Sequence, residues 1–305
     1  MSGLLWGIDL GGTKIEGAIV DPEFPDRAIH RLREETGADH GYEHVFGQIL
    51  RVIQRLEEAA ESPAPEVIGI GTPGAIDPAS GTLKNSNSTC LNGRTLRADL
   101  EEQTGRRFHM ANDANCCALA EATLGAAAGE HVVFGIILGT GVGGGVVVGG
   151  QVLEGLHGIA GEWGHNPMRG ESHPCYCGRA GCVETVFAGP SLERFYLERG
   201  GEAIRLPEIA RRAAHGEPLA TETLHRLRDK FGEALAAILN VLDPDAVVIG
   251  GGVGNLDILY AEETRAAIRR HLFNPELRTR ILRPALGDSA GVFGAAMLSR
   301  QPTRS

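Results

Sequence analysis

Apolar residues dominate Leu4 to Asp9 and again Ile15 to Val20, which predicts two buried strands joined by a glycine turn. From Tyr42 to Glu61 the apolar positions Val45, Ile49, Val52, Ile53 and Leu56 recur at helical spacing. Val67 to Ile70 predicts a short strand that stops at Gly71-Thr72-Pro73-Gly74, and Ala114 to Leu124 predicts a helix. Val132 to Leu138 and Val146 to Val148 read as strands. Thr221 to Leu242 predicts a long amphipathic helix ended by Asp243-Pro244. Ala246 to Ile249 predicts a strand running into Gly250-Gly251-Gly252, and Ala261 to Leu272 and Ala290 to Ser299 predict helices. Strands alternating with helices indicate an α/β fold.

The pattern carries a weak internal repeat. Laying Gly7–Val20 over Gly135–Val148 matches 6 of 14 positions, and each copy reads strand, glycine turn, strand. A glycine-rich chain produces some matches by chance. A true duplication would give two like-folded domains facing a cleft, a common place for ligands. Asp9 in the first copy aligns with Ile137 in the second. A carboxylate ending a buried strand needs a partner. Asp9 therefore either orients a metal ion or phosphate, or caps its own turn.

With 305 residues the chain makes two domains or one large one. Net charge is −10 with no Lys/Arg run, and aromatics are 5%, so nucleic acid is not an expected partner. No basic-then-apolar leader and no run of about 18 apolar residues occurs, which predicts a cytoplasmic protein with no membrane partner. Six cysteines in that compartment are expected to be reduced, and clustered ones suggest metal.

Asp9-Leu10-Gly11-Gly12-Thr13-Lys14 and Leu138-Gly139-Thr140-Gly141-Val142-Gly143-Gly144-Gly145 stand at equivalent repeat positions. Paired glycines let backbone N–H groups approach a phosphate, though each stretch alone also fits a tight hairpin. Gly251 and Gly252 either admit a nucleoside or form a plain strand-to-helix turn. His165, Cys175, Cys177 and Cys182 give H-x9-C-x-C-x4-C, a closed tetrahedral zinc set whose alternative is three buried thiols. With all four positions filled by protein, such a zinc is structural. Gly178 and Gly181 permit the tight reversal that four ligands need. Asn112-Asp113 sits where a strand meets a helix. Asp113 is either the helix N-cap or a general base for a hydroxyl nucleophile, with Asn112 bonding a sugar. Glu162 and Glu184 flank the cysteine cluster and are candidate acceptors for sugar hydroxyls.

Together these motifs resemble the ROK family of sugar kinases. The similarity lies in Asp9 to Lys14, Gly71 to Gly74, Asn112-Asp113, Leu138 to Gly145, Glu162 to His165, Cys175 to Glu184 and Gly250 to Gly252. It implies a two-lobed ribonuclease-H-like (actin/hexokinase-type) α/β fold with an inter-domain cleft and a structural zinc knuckle. The lobes are expected at 1–113, completed by a C-terminal helix over 290–305, and at 114–289, with the knuckle at 165–184. ATP and Mg²⁺ are implied as phosphoryl donor and its metal, and Zn²⁺ as the knuckle ion. Asp113 takes the role of base. Gly74, Asn112, Asp113, Glu162, His165 and Glu184 are implied as sugar contacts. ATP is expected at Asp9, Gly11, Gly12, Thr13, Lys14, Gly139, Thr140, Gly141, Gly251 and Gly252, and zinc at His165, Cys175, Cys177 and Cys182. A homodimer is a family expectation.

Within the family, Lys84-Asn85-Ser86-Asn87-Ser88-Thr89, Leu91-Asn92-Gly93, Gly161 to Pro167 and Pro174-Cys175-Tyr176-Cys177 look like bacterial fructokinases, although Cys90 stands where that pattern has Trp. Fructose phosphorylated to fructose 6-phosphate is the expected reaction. N-acetylglucosamine, glucose or mannose is the alternative sugar. ROK sugar-responsive regulators carry a helix-turn-helix domain before the first glycine turn. Only eight residues precede Asp9 here, so a regulator is not expected.

Overall fold

A computed structural model describes residues 3–21, 23, 24 and 27–301. The first half runs β1 (Leu5–Leu10), β2 (Lys14–Val20), β3 (Ala28–Glu35), α1 (Tyr42–Ala60), β4 (Val67–Thr72), β5 (Ala75–Ile76), β6 (Leu83–Lys84), α2 (Leu96–Thr104), β7 (Arg107–Asn112) and α3 (Asp113–Thr123). Next come β8 (Val132–Leu138), β9 (Val142–Val148), β10 (Gln151–Val152), α4 (Glu184–Phe187), α5 (Gly189–Glu198), α6 (Leu206–Ala214) and α7 (Pro218–Leu242). The chain closes with β11 (Ala246–Gly250), α8 (Gly251–Gly254), α9 (Glu262–Arg269), β12 (Arg280–Leu282) and α10 (Ala290–Leu298).

Two five-stranded sheets share one topology. Their strand orders are β3-β2-β1-β4-β7 and β10-β9-β8-β11-β12. In each, an outer antiparallel pair is followed by two parallel neighbours on the far side of the first strand. The glycine turns of the sequence repeat join β1 to β2 and β8 to β9, so the repeat corresponds to matching strands.

By contacts the chain divides into one unit of 1–129, 145–160 and 285–305 and another of 130–144 and 161–284. Residues 114–129 and 145–160 thus group with the first unit, where the sequence reading assigned them to the second lobe. Of the expected C-terminal helix over 290–305, α10 ends at Leu298, and residues 302–305 lie outside the described residues.

In the first unit, α1 buries Tyr42, Val45, Ile49, Val52, Ile53, Leu56 and Ala60, one helical stripe. That stripe packs where β2 carries Gly17, whose Cβ would stand 2.6 Å from Val52 Cγ1. The opposite face of this sheet takes α10, all nine of whose residues are buried. A helix apolar on every side must be enclosed. Added Cβ atoms at Gly7 and Gly69 would strike the α10 backbone, and one at Gly294 would strike Cys116 of α3. These glycines let α10 lie backbone-to-backbone against β1, β4 and α3. In the second unit Phe134, Trp163, Phe187 and Phe231 form a ring cluster with centroids 5.9 to 6.4 Å apart.

Predicted boundaries shift for local reasons. Pro218 suits a first-turn position, so α7 begins before Thr221. The glycines of Val142 to Gly145 join β9 instead of staying in the turn. Among the described residues, no helix is long and apolar enough to cross a membrane.

Candidate active site

The predicted site residues fall into two groups, one in each unit. In the first unit β1 ends at Asp9 and Leu10, and the chain reverses through Gly11-Gly12-Thr13. Gly11 N–H donates to Lys14 O at 2.9 Å. Thr36, fully buried, pins this turn twice: its N–H reaches Thr13 O at 3.0 Å and its hydroxyl reaches Gly11 O at 2.7 Å. Gly12, Thr13 and Lys14 remain exposed. Sequence reasoning missed Thr36, because a lone threonine 22 residues after the turn carries no local signal.

Asp9 lies directly opposite Glu16 on β2. Glu16 is buried and bonded to Arg31 and to Arg33 at 2.6 Å, with Lys14 at 3.7 Å. Those cations compensate the Glu16 charge. Among the described residues Asp9 has no such ion pair, and its carboxyl is pushed up to about 6. Burial is the largest cause, then the charges of Asp113 and Glu16, against a lowering by Lys14. Two glycines border Asp9: a Cβ at Gly71 would stand 3.5 Å from Oδ1, and one at Gly291 would stand 2.7 Å from Oδ2.

Strand β7 delivers Asn112 and Asp113 to the start of α3. The N-cap is Asn112, whose Oδ1 accepts from Asn115 N–H at 2.8 Å. The capping role weighed for Asp113 therefore belongs to its neighbour. Asp113 is the first helical residue, and its Oδ1 accepts from Ala114 N–H at 2.8 Å. The Asp113 residue keeps accessible surface, yet protein crowds its carboxyl. That desolvation pushes its pKa up against the lowering effect of the Ala114 and Asp113 amides. The Gly74 carbonyl accepts from Thr72 Oγ1 at 2.7 Å, and a Cβ at Gly74 would stand 2.5 Å from Lys84 O and 2.9 Å from Ser86 Cα.

In the second unit, the Gly139-Thr140-Gly141 turn is held from three sides. Gly189 N–H donates to Gly139 O at 2.8 Å. Val142 N–H donates to Glu184 Oε2 at 3.0 Å. Gly251, with φ of 83°, abuts the Leu138 backbone. One oxygen of Glu184, expected as a sugar contact, is thus engaged in bracing this turn.

Glu162 and His165 lie at the ends of a short 3-10 turn anchored by buried Trp163 in the aromatic cluster. His165, Cys175, Cys177 and Cys182 each offer a ligand atom within 4.8 Å of the others. Cys177 and Cys182 sulfurs are 3.6 Å apart, as are Cys175 Sγ and His165 Nδ1. Tetrahedral zinc with Zn–S near 2.3 Å places its sulfurs about 3.8 Å apart, so donor types and spacing both fit the ion. Gly178 and Gly181 have φ of 86° and 68°, the reversals that bring the four ligands together. Tyr176, between two of the cysteines, donates or accepts at His165 Nε2 over 3.1 Å. Its hydroxyl end is crowded and near Glu184 and Glu162, which together push it up to about 12. Cys90, Cys116 and Cys117 stand apart from this cluster.

The segment that suggested fructose is occupied with its own folding. Lys84 Nζ bonds Asp77 at 2.7 Å, and Asn92 bonds Ser86 N–H and C=O at 2.9 and 3.1 Å. Such residues report loop architecture and say little about a sugar.

Comparison with known proteins gives the same result. The chain is 37% identical to an N-acetyl-D-glucosamine kinase of Photobacterium profundum over 97% of this chain and 99% of that protein. Relatives in Vibrio parahaemolyticus and Aliivibrio fischeri, 34% and 33% identical, bear the same name, so the fructokinase assignment is not supported. Among solved structures, a ROK hexokinase from Thermus thermophilus matches with TM-score 0.86 and 36% identity over 97% of both chains. A ROK glucokinase from Streptomyces griseus in complex with glucose and AMPPNP matches with TM-score 0.77 and 30% identity, over 98% of this chain and 100% of that one. The ROK family model spans residues 5–302, and with full-length kinase relatives the chain belongs to the ROK family as a sugar kinase.

Proposed function

We propose that the protein transfers the γ-phosphoryl group of ATP to a hydroxyl of N-acetyl-D-glucosamine. The observation that carries the choice of sugar is the 37% identity, over nearly the whole of both chains, to an N-acetyl-D-glucosamine kinase. Glucose is the second reading, favoured by the match at TM-score 0.77 to a ROK glucokinase in complex with glucose and AMPPNP.

Asp113 takes the proton from the acceptor hydroxyl, expected to be the primary alcohol at C6. Its raised pKa makes it a better base than an ordinary surface aspartate. The hydroxyl oxygen then attacks the γ-phosphorus, the bond to the β-phosphate oxygen breaks, and ADP leaves. Positioning and charge stabilisation supply most of the rate. Backbone N–H groups of the Gly11–Thr13 and Gly139–Gly141 turns, with Lys14, receive phosphate oxygens. Gly251 and Gly252 lie against the nucleoside. Asp9 would hold the Mg²⁺ that accompanies ATP, and that ion would supply neutralisation of phosphate charge. Gly74, Asn112, Glu162, His165 and Glu184 hold the sugar.

His165, Cys175, Cys177 and Cys182 hold a structural Zn²⁺ that fixes the knuckle and supplies no step of the reaction. ADP release measured with a panel of N-acetylglucosamine, glucose, mannose and fructose tests the reading. The expected result is the highest kcat/KM on N-acetylglucosamine. Equal or better turnover of glucose would replace the sugar, and no sugar-dependent ADP with any member would end the proposal.

A further inference from the structure

Ser88, in the first unit, immediately precedes a 3-10 turn at Thr89–Leu91. At such a position a serine hydroxyl ordinarily bonds the free amides of the turn. Among the described residues Ser88 makes no such capping bond. The residue is 5% exposed, so its hydroxyl is sheltered from water without being spent on the turn. A sheltered hydroxyl is costly unless a ligand or water completes its bonding.

The backbone that carries Ser88 is firmly held. Its N–H donates to Ser86 Oγ at 3.1 Å, and Asn92 bonds the Ser86 N–H and C=O at 2.9 and 3.1 Å. Asn85, at φ 58°, turns the chain just before, in a left-handed conformation that asparagine tolerates. The segment touches two glycines of the proposed site. A Cβ at Gly74 would stand 2.9 Å from Ser86 N, and one at Gly12 would stand 3.7 Å from Ser88 Oγ. Ser86 thus lies against the glycine expected beside the sugar. Ser88 presents its hydroxyl to the exposed middle of the Gly11–Thr13 turn, which is expected to receive phosphate. The segment therefore spans from the acceptor's end of the site to the donor's.

We propose that Ser88 is a phosphate-binding residue of the transfer step, donating its O–H to an oxygen of the γ-phosphoryl group as that group passes to the sugar. It adds one side-chain donor to the backbone donors of the turn. The proton stays on Ser88 and no covalent bond forms there. The hydroxyl places the group and shares its charge. Ser86 and Asn92 are positioning residues that act through the backbone of Ser88. The inference rests on the sugar-kinase reading above and deepens it by one contact.

Ser88→Ala tests it. Calorimetry gives the affinities of MgADP and of MgAMPPNP, an analogue that carries a γ-phosphoryl group and does not transfer it. A coupled ADP assay gives kcat and the KM of whichever sugar the wild type turns over best. The variant is expected to bind MgAMPPNP about tenfold more weakly, with MgADP affinity and sugar KM within about twofold and kcat lowered about tenfold or more. A distorted turn would weaken both nucleotides, so the split between them reads the γ-phosphoryl contact itself. MgAMPPNP affinity within about twofold of wild type, or equal weakening of MgADP, overturns the proposal. So does a raised sugar KM with nucleotide affinity unchanged, which would make the hydroxyl a sugar ligand. Should Ser88→Ala fail to fold, Ser88→Cys gives the same comparison with a weak donor in place of the hydroxyl. Wild-type protein without sugar-dependent ADP formation would instead sink the parent reading, so the two failures are distinguishable.

Discussion

Gly291 lies against the carboxylate of Asp9, so closely that a Cβ there would stand 2.7 Å from Oδ2 and 3.1 Å from Cγ. The second residue of α10 therefore sets the space available to the last polar residue of β1. Helix α10 itself is seated on β1 through Gly7, so the placement of Asp9 and the packing of the C-terminal helix are one arrangement.

Gly291→Ala tests that arrangement. The added methyl forces the Asp9 side chain to move while the helical backbone accepts alanine readily. The variant is expected to fold, with kcat reduced about tenfold or more and sugar KM little changed. Steady-state kinetics beside a melting curve check this. Unchanged kcat would mean that Asp9 tolerates displacement and does not orient the phosphoryl donor.

Asp9→Asn separates stability from activity. The folded pKa of about 6 is above the ordinary 3.8, so ionised Asp9 is disfavoured in the native state. Stability from this group is intact below pH 4, falls as pH rises through 6, and is then lower by on the order of 2–3 kcal/mol. In metal-free protein, urea denaturation at pH 7.5 should show Asp9→Asn more stable than wild type, and at pH 4 the two should converge. Turnover of the variant should be lost at both. In the wild type, turnover should decline as pH falls below about 6, where Asp9 takes up a proton. A variant no more stable than wild type at pH 7.5 would show that Asp9 has a cationic partner after all.

Asp113→Asn should bind the sugar with near-normal affinity and lose kcat by about 10²- to 10⁴-fold. Calorimetric titration with sugar and a coupled ADP assay read the two quantities. Turnover near the wild-type rate would remove the base assignment and leave Asp113 as a residue of the first turn of α3.

How much of this was legible in the chain depended on how local each signal is. β1, α1, α7 and α10 announce themselves by runs or periods of apolar residues. β3 went unread because every second residue faces solvent and four of its eight carry charge, as befits the edge of a sheet. The cluster of His165, Cys175, Cys177 and Cys182 was readable because its members stand within 18 residues of one another. The contacts of Thr36, Gly291 and Tyr176 were not, since only the folded chain creates them. The fructose expectation rested on residues that serve their own loop: Lys84 bonds Asp77, and Ser86 and Asn92 bond each other, contacts that do not encode a substrate.

Glu121 yields the last prediction. It is buried two turns along α3 from Asp113. Its Oε2 accepts from Ala126 N–H at 2.8 Å and Ala285 N–H at 3.0 Å, and its Oε1 accepts from Leu286 N–H at 2.9 Å. Ala126 belongs to the segment by which the chain first leaves the first unit, and Ala285 is the residue at which it returns for the last time. One carboxylate thus ties the helix that carries Asp113 to the stretch that leads into α10 and Gly291. Glu121→Ala removes the acceptor of three amide donors on half-buried or exposed residues, and each lost hydrogen bond costs about 1 kcal/mol where water can take its place. A loss of roughly 2–4 kcal/mol in urea denaturation is expected. Glu121→Gln should recover part of it, because one amide oxygen can still accept while the new NH₂ faces donors. If Glu121→Ala unfolds within about 1 kcal/mol of wild type, the three amides find other partners and the carboxylate does not hold the two segments together.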